Sequence, residues 1–371
     1  MRDGRKIADT DSHQMEPAWI WEKFIDPRFA ERAPRVARAG SRETLVVEGE
    51  SLTAEEGKYP FNSPEFLAAL ARGMKRFQRA REARFSAASR LADMDEQGVD
   101  VQILYPTVGG QLLGREFRDP ELLAACCSAY NDWSAEYCDV APNRLRWAAM
   151  LPMQEPELAA AEARRAAERG AVSFYVRPNP MKGRNLHHRD YFPVWEVIQG
   201  LGRPVCLHDS GSPRIPSYGD RMETHTSGHM LAHPFEAMSA MMSLIWYGVL
   251  EHFPKLTVVH VEADAGWLPY WLQRMEQHWD FSGSAEHPDL KMRPTKYFER
   301  NVFVAARGDE TTLRSVVELV GDDNVVFNTD YPHPDGTWPW GLESLLEQEI
   351  SEESKRKIFW DNAARAFHLP D

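Results

Sequence analysis

The sequence predicts an α/β fold built as a (β/α)8 TIM barrel. Three observations carry that expectation. Eight short apolar runs recur along the 371 residues. Helical stretches separate them. The ionisable residues with catalytic chemistry fall where those runs end. The runs are Lys6–Asp11, Val99–Tyr105, Arg146–Leu151, Ala171–Val176, Pro204–His208, Leu256–Glu262, Asn301–Ala305 and Asn324–Asn328. Most are rich in Val, Ile, Leu and Phe, as parallel strands buried on both faces are. The clearest helical stretches are Pro120–Val140 and Glu155–Arg169, the second stopped by Gly170. Strand and helix alternating eight times gives a barrel or a large doubly wound sheet.

A decorated barrel runs from about 200 to over 400 residues as one domain, so residues 1–371 are expected to fold as a single domain. Two connections are long. Residues 16–98, after the first strand, hold an expected hairpin at Thr44–Leu52 and a basic helix at Met74–Arg90. Residues 209–255 follow the fifth strand and include an apolar stretch, Met238–Leu250, read as a buried helix. Long loops at this end of a barrel are where lids and substrate contacts sit.

Composition narrows the partners. Forty-three Lys and Arg against 56 Asp and Glu leave a net charge of -13. That argues against nucleic acid or an anionic membrane surface, but not against an anionic substrate, because a metal and one arginine reverse the local field. The four cysteines, Cys126, Cys127, Cys138 and Cys206, form no paired framework. Reduced thiols in a cytoplasmic protein are expected. The opening MRDGRKIADTDSH lacks the apolar core of a signal peptide.

The chemistry lies at strand ends. Asp11 and His13 close the first strand, His208 the fifth and Asp330 the eighth, with His260 and Glu262 in the sixth. All fall at C-terminal ends, the catalytic face of a barrel. Asp11 and His13 are two apart, so an extended strand turns both the same way. Two carboxylates and two imidazoles make a mixed site that suits zinc first, and manganese or iron as well. His260 and Glu262 also share a face; if it points inward, either serves as ligand or as acid–base group. Arg177 ends the fourth strand, where a guanidinium clamps a substrate carboxylate or forms a structural ion pair. His225, His229 and His233 are spaced by four, which on a helix gives one face and a second cluster, although Gly228 and Pro234 interrupt the region. Tyr331, His333, Trp338 and Trp340 follow Asp330 and are expected at the pocket mouth, with His333 hydrogen-bonding a ligand from behind.

Three segments carry a family resemblance. DTDSHQMEP with the following W-E-K-F-I-D-P-R-F, the stretch HPFEAMSAMMSLIWYGVLEHFPKLTVVHVEADAGWLPYWLQRME, and NTDYPHPDG together resemble the amidohydrolase-related branch that includes aminocarboxymuconate semialdehyde decarboxylase. The resemblance implies a distorted TIM barrel with a metal at the strand ends. It matches Asp11 and His13 to the first-strand ligand pair, His208 to the fifth-strand ligand and Asp330 to the eighth-strand ligand. No lysine ends the fourth strand, so a bridging carbamylated lysine is not implied. One departure stands out. Decarboxylases of this branch carry a catalytic histidine in a His-x-Gly-Gly pattern after the sixth strand, whereas here Glu262 takes that place and Asp264 replaces a glycine.

The first functional expectation is a metal-dependent hydrolase acting on a small carboxylate or aromatic acid through a metal-activated water. Asp330 or Glu262 takes the proton, His260 serves the leaving group, and Arg177, His333 and Trp338 hold the substrate. The second is non-oxidative decarboxylation on the same metal with His260 as proton donor. The third is a dinuclear iron or manganese oxygenase with Glu262, His260 and His225 as extra ligands. The fourth is a non-catalytic subunit beside an active paralogue. A homodimer is expected.

Overall fold

The computed structural model describes residues 2, 4–39, 42–52, 63–211 and 214–370. Eight strands form one sheet in sequential order: β1 (Ala8–Gln14), β2 (Val101–Pro106), β3 (Leu145–Met150), β4 (Ser173–Val176), β5 (Val205–Leu207), β6 (Val258–His260), β7 (Val302–Arg307) and β8 (Val325–Asn328). All neighbours pair in parallel. The ends of the sheet then meet. Thr10 Oγ1 donates to the Phe327 carbonyl at 2.9 Å, Asp330 N to the Asp11 carbonyl at 2.9 Å and His13 N to the Tyr331 carbonyl at 2.5 Å. The sheet is thus curled into a barrel, as the eight apolar runs predict.

Alternation along the strands sorts side chains into two layers. Leu207, Val258, Val304 and Phe327 pack outward against the helices. Tyr105, Met150, Tyr175, Cys206, Val259 and Val326 fill the interior. Both faces are therefore dry, which is why the strands read as continuous apolar runs. β1 departs from simple alternation. Ala8 and Asp9 pair with Val101 and Gln102, but Ser12 pairs with Leu104. One extra residue on β1 is a bulge. It reverses the parity of the strand, so that Ala8 packs inside and Asp11 and His13 face inside as well.

The first insertion contains a three-stranded antiparallel ribbon, Arg35–Ala39, Arg42–Val47 and Glu50–Ser51. The expected hairpin is its second half, turned at Glu48 and Gly49 with φ of 54° and 81°. The expected continuous helix Met74–Arg90 is broken. Arg84 and Phe85 adopt left-handed φ of 52° and 51°. Ser86 then caps a new helix, Ala87–Gln97, by accepting from Ser89 N, and Gly98 ends it at φ 77°. After β5 the chain forms a helix over His225–Trp246, capped by Thr224. Gly228 and Pro234 do not stop it: packing overrides local propensity. The cysteines are free and buried. No helix among the described residues is long and apolar enough to cross a membrane.

Candidate metal centre

Asp11, His13 and His208 converge at the top of the barrel, all essentially inaccessible. His13 Nε2 lies 3.4 Å from Asp11 Oδ1, and His208 Nε2 lies 3.6 Å from the same oxygen. The ring orientations are set from behind. His13 Nδ1 meets the Pro106 carbonyl at 3.0 Å, and His208 Nδ1 meets the Asp209 carbonyl. A carbonyl only accepts, so each Nδ1 carries the hydrogen and each Nε2 presents a lone pair. The two Nε2 atoms are 3.0 Å apart. Both Asp11 carboxylate oxygens are buried without a hydrogen-bond partner among the described residues. This donor set fits a divalent cation. Ligands about 2.1 Å from a metal and at right angles stand about 3 Å from one another. Burial drives His13 down to about 3. At His208 burial acts the same way but Glu262 and Asp11 outweigh it, raising the group to about 9. Burial opposes ionisation of Asp11, yet His208 and His13 hold its carboxyl below the usual range.

Asp330 reaches the same point from beyond β8, with Oδ1 3.4 Å from His13 Nε2. Behind it His333 Nδ1 lies 2.8 Å from Asp330 Oδ1, and His333 Nε2 lies 3.1 Å from Thr107 Oγ1. The His333 ring stacks on His13 at 3.9 Å between centroids. Burial lifts Asp330 to about 6 against the pull of His333. His333 is raised to about 10, because Asp330 more than offsets the cost of its burial. The turn that presents Asp330 folds back tightly. A Cβ on Gly336 would lie 2.6 Å from the Thr329 carbonyl, so only glycine fits.

The sixth strand separates two residues that the sequence puts on one face. Val259 and Val261 point inward with the barrel core, so His260 points outward. Its ring meets Trp267 edge-on at 5.9 Å, and neither ring nitrogen has a partner among the described residues. Burial alone pushes it down to about 3. The expectation of His260 as proton donor or ligand is therefore corrected: it lies in the layer between barrel and helices. Glu262 escapes that layer because the strand has ended. Its backbone turns left-handed at φ 54°, as do Asp264 at 53° and Asp330 at 56°. Such strained positions cluster at functional sites. The turn is pinned by Ala265 N donating to Glu310 Oε2 at 3.0 Å and the Trp267 indole to the Ala263 carbonyl at 3.0 Å. Glu262 Oε2 thereby stands 3.1 Å from His208 Nε2. Burial raises its carboxyl well above the usual range despite His208.

A cavity of about 590 Å³ opens over this point, walled by Glu262, Asp264, Arg307, Asn328, Asp330 and His229 among others. Arg177 is absent from that wall. Its guanidinium pairs with Asp209 and donates to the Ser210 carbonyl at 2.8 Å, fully buried, so the structural alternative accounts for it. Trp338 is likewise interior, packed on Tyr331 at 4.8 Å between centroids rather than set at the mouth. His225 packs on Phe66 at 4.4 Å and on His229 at 5.6 Å between ring centroids. Two wall residues carry chemistry that sequence reading missed. Arg307 ends β7 beside Asp264, with Nε 2.9 Å from Oδ1. Asn328 ends β8 with its Nδ2 buried and unpartnered among the described residues. Both are strand-end polar groups, the same signal that marked Asp11 and His208.

The amidohydrolase family model matches residues 11–369. Gamma-resorcylate decarboxylase of Polaromonas sp. is 29% identical over 296 residues, 76% of this chain and 86% of the relative. The 2-amino-3-carboxymuconate-6-semialdehyde decarboxylase of Dictyostelium discoideum is 28% identical over 284 residues, 74% of each chain. Among solved structures, an amidohydrolase of Mycobacterium avium subsp. paratuberculosis K-10 superposes with a TM-score of 0.79 at 24% identity, covering 98% of this chain and 99% of its own. The 5-carboxyvanillate decarboxylase of Novosphingobium aromaticivorans, complexed with manganese and 4-hydroxy-3-methoxy-5-nitrobenzoic acid, superposes with a TM-score of 0.71 at 21% identity, covering 99% and 97%.

Proposed function

The chain belongs to the amidohydrolase family, and from that premise we propose that it is a divalent-metal-dependent, non-oxidative decarboxylase of a small aromatic or enolic carboxylic acid. The observation that carries the reading is the Asp330–His333 pair, 2.8 Å apart, set beside the orphaned Asp11 carboxylate and the two facing imidazoles. The activities of the named relatives support it over hydrolysis, the first expectation from sequence.

Asp11, His13, His208 and Asp330 would hold the cation, with manganese ahead of zinc because a solved relative carries it. Bound there, the cation supplies positive charge to the substrate's oxygens as electrons return from the departing carboxylate. The chain's own groups do the rest. Arg307 and Asn328 present donors from the cavity wall to the polar substituents of the substrate. His333, seated by Thr107, keeps a proton on the Asp330 side of the site. The bond to the carboxylate breaks, carbon dioxide leaves, and the electron pair stays on the substrate carbon. That carbon takes the proton from Asp330, which His333 restores.

Metal-assisted hydrolysis is the second reading. It is favoured by one observation: a carboxylate, Glu262, stands 3.1 Å from His208 where the decarboxylase pattern has histidine. The deciding experiment supplies Mn²⁺-loaded protein in D2O with 2,6-dihydroxybenzoate, 5-carboxyvanillate and related ortho-hydroxy acids. One deuterium on the carbon that lost CO2, per CO2 released, is the expected result. Acid released from an ester or amide panel, with no CO2 from any carboxylate, transfers the assignment to hydrolysis.

A further inference from the structure

We propose that the helix after β5 and the turn after β6 build a second divalent-cation site, held by His229, His233 and Glu262, with Glu262 bridging it to the first. The proposal goes beyond the decarboxylase reading and stands whichever reaction the first site performs.

His229 and His233 are one helical turn apart on His225–Trp246, so both project from one face. Their rings lie 4.0 Å apart. That face meets Glu262. Glu262 Oε1 is 3.7 Å from His229 Nε2, and Glu262 Oε2 is 3.8 Å from His233 Nδ1. Neither separation is a hydrogen bond, which needs about 2.7–3.2 Å. Both suit atoms sharing a cation about 2.1 Å from each. His233 is only 6% exposed, and its Nδ1 has no hydrogen-bond partner among the described residues. A buried ring nitrogen aimed at a carboxylate it does not bond is a site short of one positive charge. Asp335 Oδ2 lies 3.9 Å from His229 Nε2 and offers a further oxygen from the cavity side.

The bridge follows from the same carboxylate. Glu262 Oε2 is already 3.1 Å from His208 Nε2 of the first centre. A carboxylate spanning two cations sets them roughly 3.5–4 Å apart. The donor set, two imidazoles and one or two carboxylates, suits manganese, iron or zinc rather than magnesium or calcium.

The test needs no substrate. The full chain is stripped with chelator and titrated with Mn²⁺ alone, following uptake by calorimetry and by electron paramagnetic resonance. The expected wild-type result is two ions per chain, the pair giving an exchange-coupled signal. In the His229→Gln/His233→Asn double variant the second ion should bind at least about 100-fold more weakly, leaving the signal of one isolated ion. Glu262→Gln, which preserves shape, should abolish the coupling. Melting curves taken in chelator confirm that each variant folds. One ion per chain in the wild type at millimolar Mn²⁺ overturns the proposal. So do two ions retained unchanged in the double variant. Failure of the decarboxylase reading would leave these stoichiometries untouched.

Discussion

The seam between β8 and β1 and the rim between β5 and β6 meet at one site and are built in opposite ways. At the seam, polar groups answer one another. Asp9 accepts from Ser12 at 2.7 Å, from Gln102 at 3.1 Å, and from Thr329 N and Oγ1 at 3.0 and 2.6 Å. Arg90, reaching in from the first insertion, donates to the His13 carbonyl, to Gln102 Oε1 at 3.0 Å and to Tyr137 Oη at 3.1 Å. Tyr331 donates to Asp93 at 2.6 Å. At the rim, Glu262 and His233 face each other without a hydrogen bond, and the His260 ring nitrogens have none among the described residues. The seam's hydrogen bonds fix where Asp11, His13 and Asp330 stand, while the Asp11 carboxylate oxygens and Asn328 Nδ2 are left without partners among the described residues. The rim holds Glu262 and His233, the groups that the proposed second cation would join, and His260, whose ring nitrogens have no hydrogen-bond partner among the described residues. Polar satisfaction therefore distinguishes what positions the site from what the site is for.

Asp330 sits on both sides of that distinction, and replacing it gives the largest expected effect. Its backbone N–H belongs to the seam, bonding the Asp11 carbonyl at 2.9 Å, while its carboxylate belongs to the chemistry. Asn tolerates the left-handed backbone there. Asp330→Asn should keep the fold but lower turnover by about 10²–10⁴-fold, the range for a lost acid–base group. Initial rates beside melting curves check this. Turnover within tenfold of wild type would remove Asp330 from the proton path.

Arg90→Met should strike the seam alone. It leaves the His13 carbonyl and Gln102 short of a donor in a buried site, at about 1–3 kcal/mol for each unsatisfied group. Urea unfolding should show a loss of about 2–6 kcal/mol, with the remaining folded protein still binding Mn²⁺. A loss under about 1 kcal/mol would mean the seam is far less cooperative than its hydrogen bonds imply.

Which parts were legible in the sequence follows the same division. Barrel strands announce themselves by two dry faces, so the eight runs land within a few residues of β1 to β8. Asp11, His13, His208 and Asp330 could be picked out as candidates because each lies at the C-terminal end of a strand, the catalytic face of a barrel. What depends on a single backbone residue was not legible. The bulge in β1 and the left-handed turns at Glu262 and Asp330 decide which side chains enter the site, and composition is silent on both. Partners remote in sequence were also hidden: Arg177 suits a substrate carboxylate until Asp209 is found against it. The spacing of His225, His229 and His233 gave one face, but only the fold shows that Glu262 meets the last two.

His260 offers the smallest expected effect and the sharpest check on the rim. As a proton donor it would cost about 10²–10⁴-fold when removed. As a buried ring between Leu207 and Val304 in register, capped by Trp267, it contributes packing and an unmet desolvation cost. Met matches its bulk and needs no hydrogen bond. His260→Met should therefore leave turnover within about threefold and stability unchanged or higher by up to about 1 kcal/mol. A hundredfold fall in turnover with the fold intact would place the ring inside the barrel after all, and would mean that the strand alternation holding Val259 and Val261 inward fails at its last residue.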